Sequence, residues 1–351
     1  MLAKARGACL RAAATGSGHS FASTLRIVTP APASSLRGPC CASTLVPLVT
    51  PASHAASSSL KRAAGPAVPA ARRVHAAAAT GFENQAAVYE KTRPSYPPSV
   101  VEYVVELVRG HKRAQDTPSP VLDLAAGGGK FTRLLATQPG LELSAVEPVA
   151  AMRNVFKQVL PTVPCLEGTA DAIPFGDAHF EAVTVAQAFH WISTLESLQD
   201  IHRVLRPKSA LVLLWNMESR SAPWVAALRD VYEQYDVNIP QYRHGKWKKV
   251  FALPEAQKLF PGPLTTRFFQ QEMVVTKGMA WERVLSKSYI ASLTEKEQAL
   301  VKARVERVLE EHDAAFGLSL KDPVTGKMER AARQPIDTEV TFIRAAWFES
   351  G

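Results

Sequence analysis

The sequence predicts an α/β fold in which helices cover both faces of a doubly wound, mostly parallel sheet. Between residues 121 and 215, short apolar runs that suit strands alternate with segments of helical period. Such an alternation implies right-handed crossovers and a parallel sheet. The first strand is apolar on both faces, as a strand covered by helices on either side should be. Three consecutive glycines follow it and lead into a helix with an apolar face.

The elements follow from this alternation. Five strands are predicted in this region, at residues 121–125, 141–147, 163–166, 180–186 and 210–215. Helices are predicted between them, for example at residues 149–160 and 194–205. Later helices are predicted at residues 221–235, 280–286 and 295–312, with β-rich segments at residues 265–275 and 339–347. We expect residues 119–217 to form the core, and residues 218–351 to supply the last strands and a substrate cap.

The first 80 residues are predicted to be a disordered organellar transit peptide. The first 82 residues contain no Asp or Glu, and the rest of the chain has 32 basic and 32 acidic residues. This leader is rich in Ala, Ser and Arg, a composition typical of transit peptides and unlike that of folded segments. Its length and serine content favour a plastid (chloroplast), with the mitochondrion as the alternative. Residues 81–351 would then form the folded domain.

Charge and cysteine content exclude several classes of protein. A folded domain without net formal charge lacks the basic surplus of a general nucleic-acid-binding protein. No uninterrupted apolar run is long enough for a transmembrane span. Three of the four cysteines lie in the leader, which leaves Cys165 alone in the domain. We therefore expect neither a disulfide nor a cysteine-based metal site.

Residues 123–129, Asp-Leu-Ala-Ala-Gly-Gly-Gly, form the candidate ligand-binding loop. Glycines let the backbone approach a ligand closely, and the loop lies beyond the carboxyl edge of a strand, the usual ligand position in open α/β sheets. A Walker loop is excluded because Phe131 follows Gly129 and Lys130 where Ser or Thr is required. A dinucleotide fingerprint is weakly matched, because Thr132 stands where a small residue is needed.

This loop resembles the first motif of class I S-adenosylmethionine-dependent methyltransferases, acid-x-Gly-x-Gly-x-Gly. The match begins at Asp123 and includes Gly127 and Gly129, with Ala125 where the first glycine is usual. The Ala125 methyl group is tolerated if that residue has a negative φ. Glu147 ends the second strand about 20 residues beyond the glycines, where an acid suits the ribose hydroxyls of S-adenosylmethionine or of a nicotinamide cofactor.

Other segments resemble the type 11 methyltransferase family, and within it the trans-aconitate methyltransferase-like subgroup. Residues 168–175, Gly-Thr-Ala-Asp-Ala-Ile-Pro-Phe, resemble the segment that meets adenine in this family. Residues 186–191, Ala-Gln-Ala-Phe-His-Trp, closely resemble the subgroup's sequence at the end of the fourth strand. The resemblance covers about residues 82–348 and implies a Rossmann-like sheet of seven mostly parallel strands, with a helical N-terminal lid and a C-terminal cap.

The resemblance also implies the site residues. His190 is the candidate catalytic residue, either as a general base, since its unperturbed pKa lies near working pH, or as a substrate orienter. Tyr89 and Arg93 are expected in the lid, and Trp191 and Tyr289 near the substrate. No metal is expected. The residues expected to bind S-adenosylmethionine are Asp123, Ala125, Gly127, Gly129, Glu147, Thr169, Ala170, Asp171 and Gln187.

The predicted function is methyl transfer from S-adenosylmethionine to a small-molecule acceptor, through a carboxylate or a hydroxyl, by in-line displacement. Nucleic acid is not an expected substrate, because the fourth strand lacks the Asn/Asp-Pro-Pro-Tyr sequence that grips an exocyclic amine. Two alternatives stay open. One is a nicotinamide-dependent oxidoreductase; the other is a catalytically silent S-adenosylmethionine-binding module, which the departures at Ala125 and Thr169 would allow.

Overall fold

The computed structural model describes residues 92–110, 117–237, 239–323 and 325–346. The leader and Tyr89 lie outside these residues, so the transit peptide and its plastid destination stay predictions. Among the described helices, none combines the length and hydropathy needed to cross a membrane.

The N-terminal half of the sheet is parallel, as the sequence predicts. Its strands lie side by side in the order β3-β2-β1-β4-β5, and every neighbouring pair is parallel. The strands are β1 (Ser119–Leu124), β2 (Leu141–Val146), β3 (Cys165–Leu166), β4 (Phe180–Ala186) and β5 (Leu205–Glu218). The helices that precede or connect them are α1 (Pro98–Arg109), α2 (Thr132–Ala136), α3 (Ala150–Val159) and α4 (Leu195–Val204).

The C-terminal half adds antiparallel strands, and within the described residues the sheet has eight strands where seven are predicted. The additional strands are β6 (Thr265–Thr276), β7 (Leu318–Lys321) and β8 (Met328–Arg344). β8 pairs with β6 along one edge, and on the other edge β5 covers only residues 336–344. The start of β8, residues 328–331, lies beyond the end of β5. β7 pairs with these residues. The short strand β7 is therefore an addition to the predicted sheet.

The remaining α-helices of the described residues are α5 (Pro223–Tyr232), α6 (Pro254–Leu259), α7 (Lys277–Leu285), α8 (Ser288–Ala291) and α9 (Glu295–Glu311). α6 packs on α4 and joins the main core, whereas the other four surround a separate apolar cluster beyond the sheet. α9 packs on α5 and α7, and Trp224, Val305 and Phe316 are among the buried residues of this cluster. The cluster places α7 and α8 beside the end of β5, which brings polar residues of these elements together.

Two glycines in the loop after β1 have a positive φ for different reasons. Gly127 has φ +58°, and a Cβ added there would meet no atom within 4 Å. Gly129 has φ +83°, and its Cβ would lie 2.9 Å from Cδ2 of Phe156 and 3.0 Å from Cδ1 of Leu160. Gly129 therefore lets the loop pack against α3, whereas Gly127 faces open space.

We predict that Gly129→Ala lowers the free energy of unfolding by at least ~1 kcal/mol more than Gly127→Ala does. Both substitutions place a methyl group in a left-handed conformation, at a cost of roughly 1–2 kcal/mol, but only the first also overpacks the contact with Phe156. Urea unfolding of both variants and the wild type measures the difference. Equal losses would contradict the packing role of Gly129.

Candidate active site

The loop after β1 contains backbone strain. Ala125 has φ +56°. It therefore does not adopt the negative φ at which its methyl group would be readily tolerated. A left-handed conformation costs a non-glycine residue roughly 1–2 kcal/mol. Gln187, one residue beyond β4, has φ +64°. Because β1 and β4 are parallel neighbours, two strained residues lie at adjacent strand ends.

Glu147, one residue beyond β2, fastens this loop. Its Oε2 accepts a hydrogen bond from the Gly127 N–H at 2.9 Å, and its Oε1 accepts one from the Val149 N–H at 2.8 Å. Burial raises the pKa of the carboxyl group, against the two backbone hydrogen bonds. The carboxylate thus joins the β1 loop to the start of α3.

Asp123 lies inside the sheet rather than on a cavity wall. The Thr132 hydroxyl donates to its Oδ2 at 2.5 Å and the Thr184 hydroxyl to its Oδ1 at 3.0 Å. The residue is only 1% exposed, and burial raises the pKa of the carboxyl group to about 6. Asp123 therefore positions the loop through α2 and β4.

A cavity of about 50 Å³ lies against the loop; we call it the glycine-loop cavity. Four of the predicted site residues line it: Arg93, Ala125, Gly127 and Gln187. The other predicted cofactor residues, Asp123, Gly129, Glu147, Thr169, Ala170 and Asp171, do not line it. Glu147 nevertheless touches the loop through Gly127.

The predicted adenine segment is tied to itself and to α4. The Thr169 hydroxyl donates to Oδ1 of Asp171 at 2.6 Å, and Ala170 is buried in the apolar core. The backbone N–H of Ile173 donates to Oδ2 of Asp200 at 2.5 Å. These bonds fix the turn beyond β3, on the far side of β2 from the glycine-loop cavity.

A second cavity, of about 80 Å³, adjoins the first; we call it the inner cavity. Arg93 and Gln187 line both cavities. The inner cavity brings together the remaining described residues of the predicted substrate side, His190, Trp191 and Tyr289. The two cavities thus share a wall at the carboxyl edge of β4.

The segment around Arg93 is held over this shared wall. The Asn216 side chain on β5 donates from Nδ2 to the carbonyl oxygens of Pro94 and Ser95, at 3.3 and 3.1 Å. Arg93 donates from Nη2 to the Ser286 carbonyl oxygen at 2.9 Å. These contacts join the N-terminal segment to β5 and to the end of α7.

His190 is a neutral hydrogen-bonded side chain. The Trp215 indole N–H lies 3.3 Å from Nδ1 of His190 and donates to it. Burial, with the nearby Arg93 charge, lowers the pKa of the imidazole to about 3. With Nδ1 occupied as an acceptor, we assign the proton to Nε2. An imidazole of such low basicity favours the predicted orienting role, as a donor at Nε2, over the predicted general-base role.

Comparisons with known proteins agree with this geometry. Residues 122–213 match a family model described as a methyltransferase domain. A demethylmenaquinone methyltransferase of Thermus thermophilus is 30% identical over 171 residues, which cover 44% of this chain and 76% of that protein. The chain belongs to the methyltransferase family.

Other members of the family match with higher identity over shorter shares of their length. An uncharacterised methyltransferase-like protein of Schizosaccharomyces pombe is 34% identical over 171 residues, 48% of this chain and 64% of that protein. An uncharacterised methyltransferase of Mycobacterium tuberculosis is 37% identical over 150 residues, 43% of this chain and 58% of that protein. The chain thus spans about three fifths of the length of these relatives.

A solved structure shows the same fold in this family. The structure, from Anaeromyxobacter dehalogenans and named as a type II methyltransferase, has a TM-score of 0.51 and 20% identity, and covers 72% of this chain and 97% of its own. The Rossmann-like α/β sheet is therefore confirmed.

The inner cavity also contains polar residues that were not predicted from the sequence. Glu218, Arg283 and Lys287 line it together. Glu218 and Arg283 carry no sequence signal that could have identified them. In the described part of the chain, no group of three or more His, Cys, Asp or Glu side chains could hold a metal ion.

We predict that Asp123→Asn raises the free energy of unfolding at pH 8. The pKa of Asp123 rises from 3.8 to about 6 on folding, so the folded protein binds more protons between these pH values, and stability falls as the pH rises through them. At ~1.4 kcal/mol per pKa unit, the buried carboxylate lowers the free energy of unfolding at pH 8 by on the order of 3 kcal/mol, and the neutral amide of the variant should restore it. Urea unfolding at pH 4.5 and 8 measures the gain, and a less stable variant at pH 8 would contradict the argument.

We also predict that His190 does not titrate between pH 8 and pH 4.5. The imidazole pKa of about 3 lies below this range because the ring is buried beside Arg93. Two-dimensional NMR of the histidine rings measures this, with the His190→Gln spectrum identifying the missing resonance. A titration midpoint near 6.5 would restore the general-base role.

Proposed function

We propose that the protein transfers a methyl group from S-adenosylmethionine to a small-molecule acceptor. One observation carries the proposal: the glycine-loop cavity and the inner cavity share Arg93 and Gln187 as lining residues. A donor in the first cavity and an acceptor in the second would meet at this shared wall. Family membership implies the donor.

The residues of the first cavity fit a nucleoside cofactor. An added Cβ at Gly127 would meet no protein atom within 4 Å, so a ligand can approach the backbone there. Gly127 would face the cofactor, and Glu147 would accept hydrogen bonds from the ribose, since a carboxylate has lone pairs beyond the two that the backbone N–H groups use. Thr169, Ala170 and Asp171 lie outside this cavity, so the adenine would have to extend past β2 to contact them. Gln187 would contact the end of the cofactor nearest the acceptor.

The protein's own contribution is to position the reactants and to exclude water. S-adenosylmethionine supplies an activated methyl group on a sulfonium centre, and transfer is an in-line displacement. His190 would orient the acceptor by donating from Nε2. An acceptor oxygen that is already ionised, such as a carboxylate, needs no base, whereas a hydroxyl would need a base other than His190.

The finer assignments belong to the same proposal. The Arg93 segment would act as part of a lid, because its backbone is tied to β5 over the shared wall. Residues after β5 would form the substrate cap, and Trp191 and Tyr289 would contact the acceptor. The trans-aconitate methyltransferase-like subgroup stays a prediction. A nicotinamide-dependent oxidoreductase is disfavoured by family membership.

We predict that the full-length protein binds S-adenosylmethionine and that Glu147→Gln weakens this binding at least fivefold. The amide keeps one acceptor oxygen but loses the charge, and a lost hydrogen bond to a charged group costs ~1.5–3 kcal/mol. Titration calorimetry with S-adenosylmethionine and, separately, with NAD measures the affinities.

Glu142→Gln is the matched control, because Glu142 is an exposed glutamate on β2, the strand that Glu147 directly follows. Its affinity for S-adenosylmethionine should equal that of the wild type. Binding of NAD without S-adenosylmethionine would overturn the proposal. Binding of S-adenosylmethionine without turnover across a metabolite screen with labelled methyl donor would favour the silent module.

A further inference from the structure

Arg283, on α7, brings an unpaired donor to the inner cavity. Its side chain is 7% exposed, and its Nε lies 2.8 Å from Oε1 of Glu218. Its Nη1 is buried and has no hydrogen-bond partner among the described residues. Buried polar groups in folded proteins are almost always hydrogen-bonded, so an orphan guanidinium N–H on a cavity wall calls for a ligand.

The charges around Arg283 are not balanced. Glu218 is the buried carboxylate that faces both Arg283 and Lys287, whose Nζ lies 3.0 Å from the same Oε1. The Tyr232 hydroxyl donates to the other oxygen, Oε2, at 3.3 Å. Arg93 is a third cation close enough to lower the pKa of Lys287. Arg283 and Lys287 thus share one buried carboxylate.

The ammonium group of Lys287 responds to this imbalance. Burial, together with the charges of Arg283 and Arg93, lowers the pKa of this group to about 7 against the attraction of Glu218. Burial also raises the pKa values of the neighbouring hydroxyls of Tyr232 and Tyr289, so neither supplies a negative charge.

Arg243, a further cation on the cavity wall, is paired with carboxylates of its own. Arg243 donates from Nη2 to Asp236 and lies 3.6 Å from Glu233. A buried cluster with a purely structural role would be expected to show this kind of pairing throughout. The uneven pairing is therefore found at Arg283 and Lys287, which share Glu218 and which we call the cationic cluster.

We infer that the cationic cluster binds an anionic group of the acceptor, a carboxylate or a phosphoryl group, with Arg283 Nη1 and Lys287 Nζ as donors. The inference rests on the proposed function, because it treats the inner cavity as the acceptor site. A bound anion would supply the missing acceptor for Nη1 and balance the charge.

The position of the cluster makes this anion an anchor rather than the methylated group. Gln187, on the wall shared with the glycine-loop cavity, contacts the Asn216 carbonyl oxygen at 3.4 Å. Glu218 lies two residues further along β5, which is about 7 Å at the rise of an extended strand. The anchored group is thus separated from the end where the methyl group would arrive, and a different atom of the acceptor is methylated.

The test is titration calorimetry of the full-length protein, saturated with S-adenosylhomocysteine, against acetate, succinate, citrate and inorganic phosphate at constant ionic strength. We expect saturable binding of at least one anion, with the preferred probe distinguishing a carboxylate from a phosphoryl group. Arg283→Met should weaken that binding at least tenfold and leave the affinity for S-adenosylhomocysteine unchanged. Arg333→Met is the control, because Arg333 is exposed on β8 and pairs with Glu272.

Arg283→Lys is a second variant, used if the methionine variant does not fold. It keeps the positive charge but removes Nη1, so it should also bind the anion at least tenfold more weakly than the wild type. Anion binding should raise the pKa of Lys287, so the wild type should take up protons at pH 8, seen as different binding enthalpies in Tris and HEPES. No saturable anion binding, or equal binding by the folded Arg283 variants, would overturn the inference. Failure of S-adenosylhomocysteine itself to bind would instead refute the proposed function, and this is measured before any anion is added.

Discussion

The carboxylate of Glu147 is the interaction on which the geometry of the site depends. In the register of the sheet, the last residue of β1, Leu124, lies beside the last residue of β2, Val146. The next residue after β2 is therefore within reach of the loop after β1, and its two oxygens accept from the Gly127 and Val149 N–H groups. The loop, the start of α3 and the wall of the glycine-loop cavity are fixed together by this one side chain.

The parallel strands could be predicted because each is an apolar run between turn signals, and the predicted fourth strand coincides with Phe180–Ala186. β5 is longer than predicted, since pairing with β8 extends its C-terminal end to Glu218. β7 could not be predicted, because it pairs with residues 328–331 of β8, and the register between β5 and β8 decides that these residues lie beyond the end of β5. The cationic cluster has the same origin: Glu218 and Arg283 are far apart in sequence and meet only through the packing of α7 beside β5.

Asp123 and His190 show why residue type predicted location better than chemical role. The sequence places both near the carboxyl ends of strands, and Asp123 is the penultimate residue of β1 while His190 follows β4. Their chemistry follows from burial, which raises the pKa of the carboxyl group to about 6 and lowers that of the imidazole to about 3. In both cases burial favours the neutral form, and the neutral imidazole then acts as a donor because the Trp215 indole occupies Nδ1. A sequence contains the unperturbed pKa values but not the desolvation.

The strain at Ala125 and Gln187 bears on whether this corner binds a ligand. Both residues have a positive φ, each just beyond the end of a strand, and both line the glycine-loop cavity. Neither conformation is needed to close the sheet, because the strands end before these residues. Such conformations cost of order 1–3 kcal/mol each and cluster at ligand-binding sites. A scaffold without a ligand would gain stability from relaxing both, so the strain favours a corner shaped to hold a cofactor between β1 and β4.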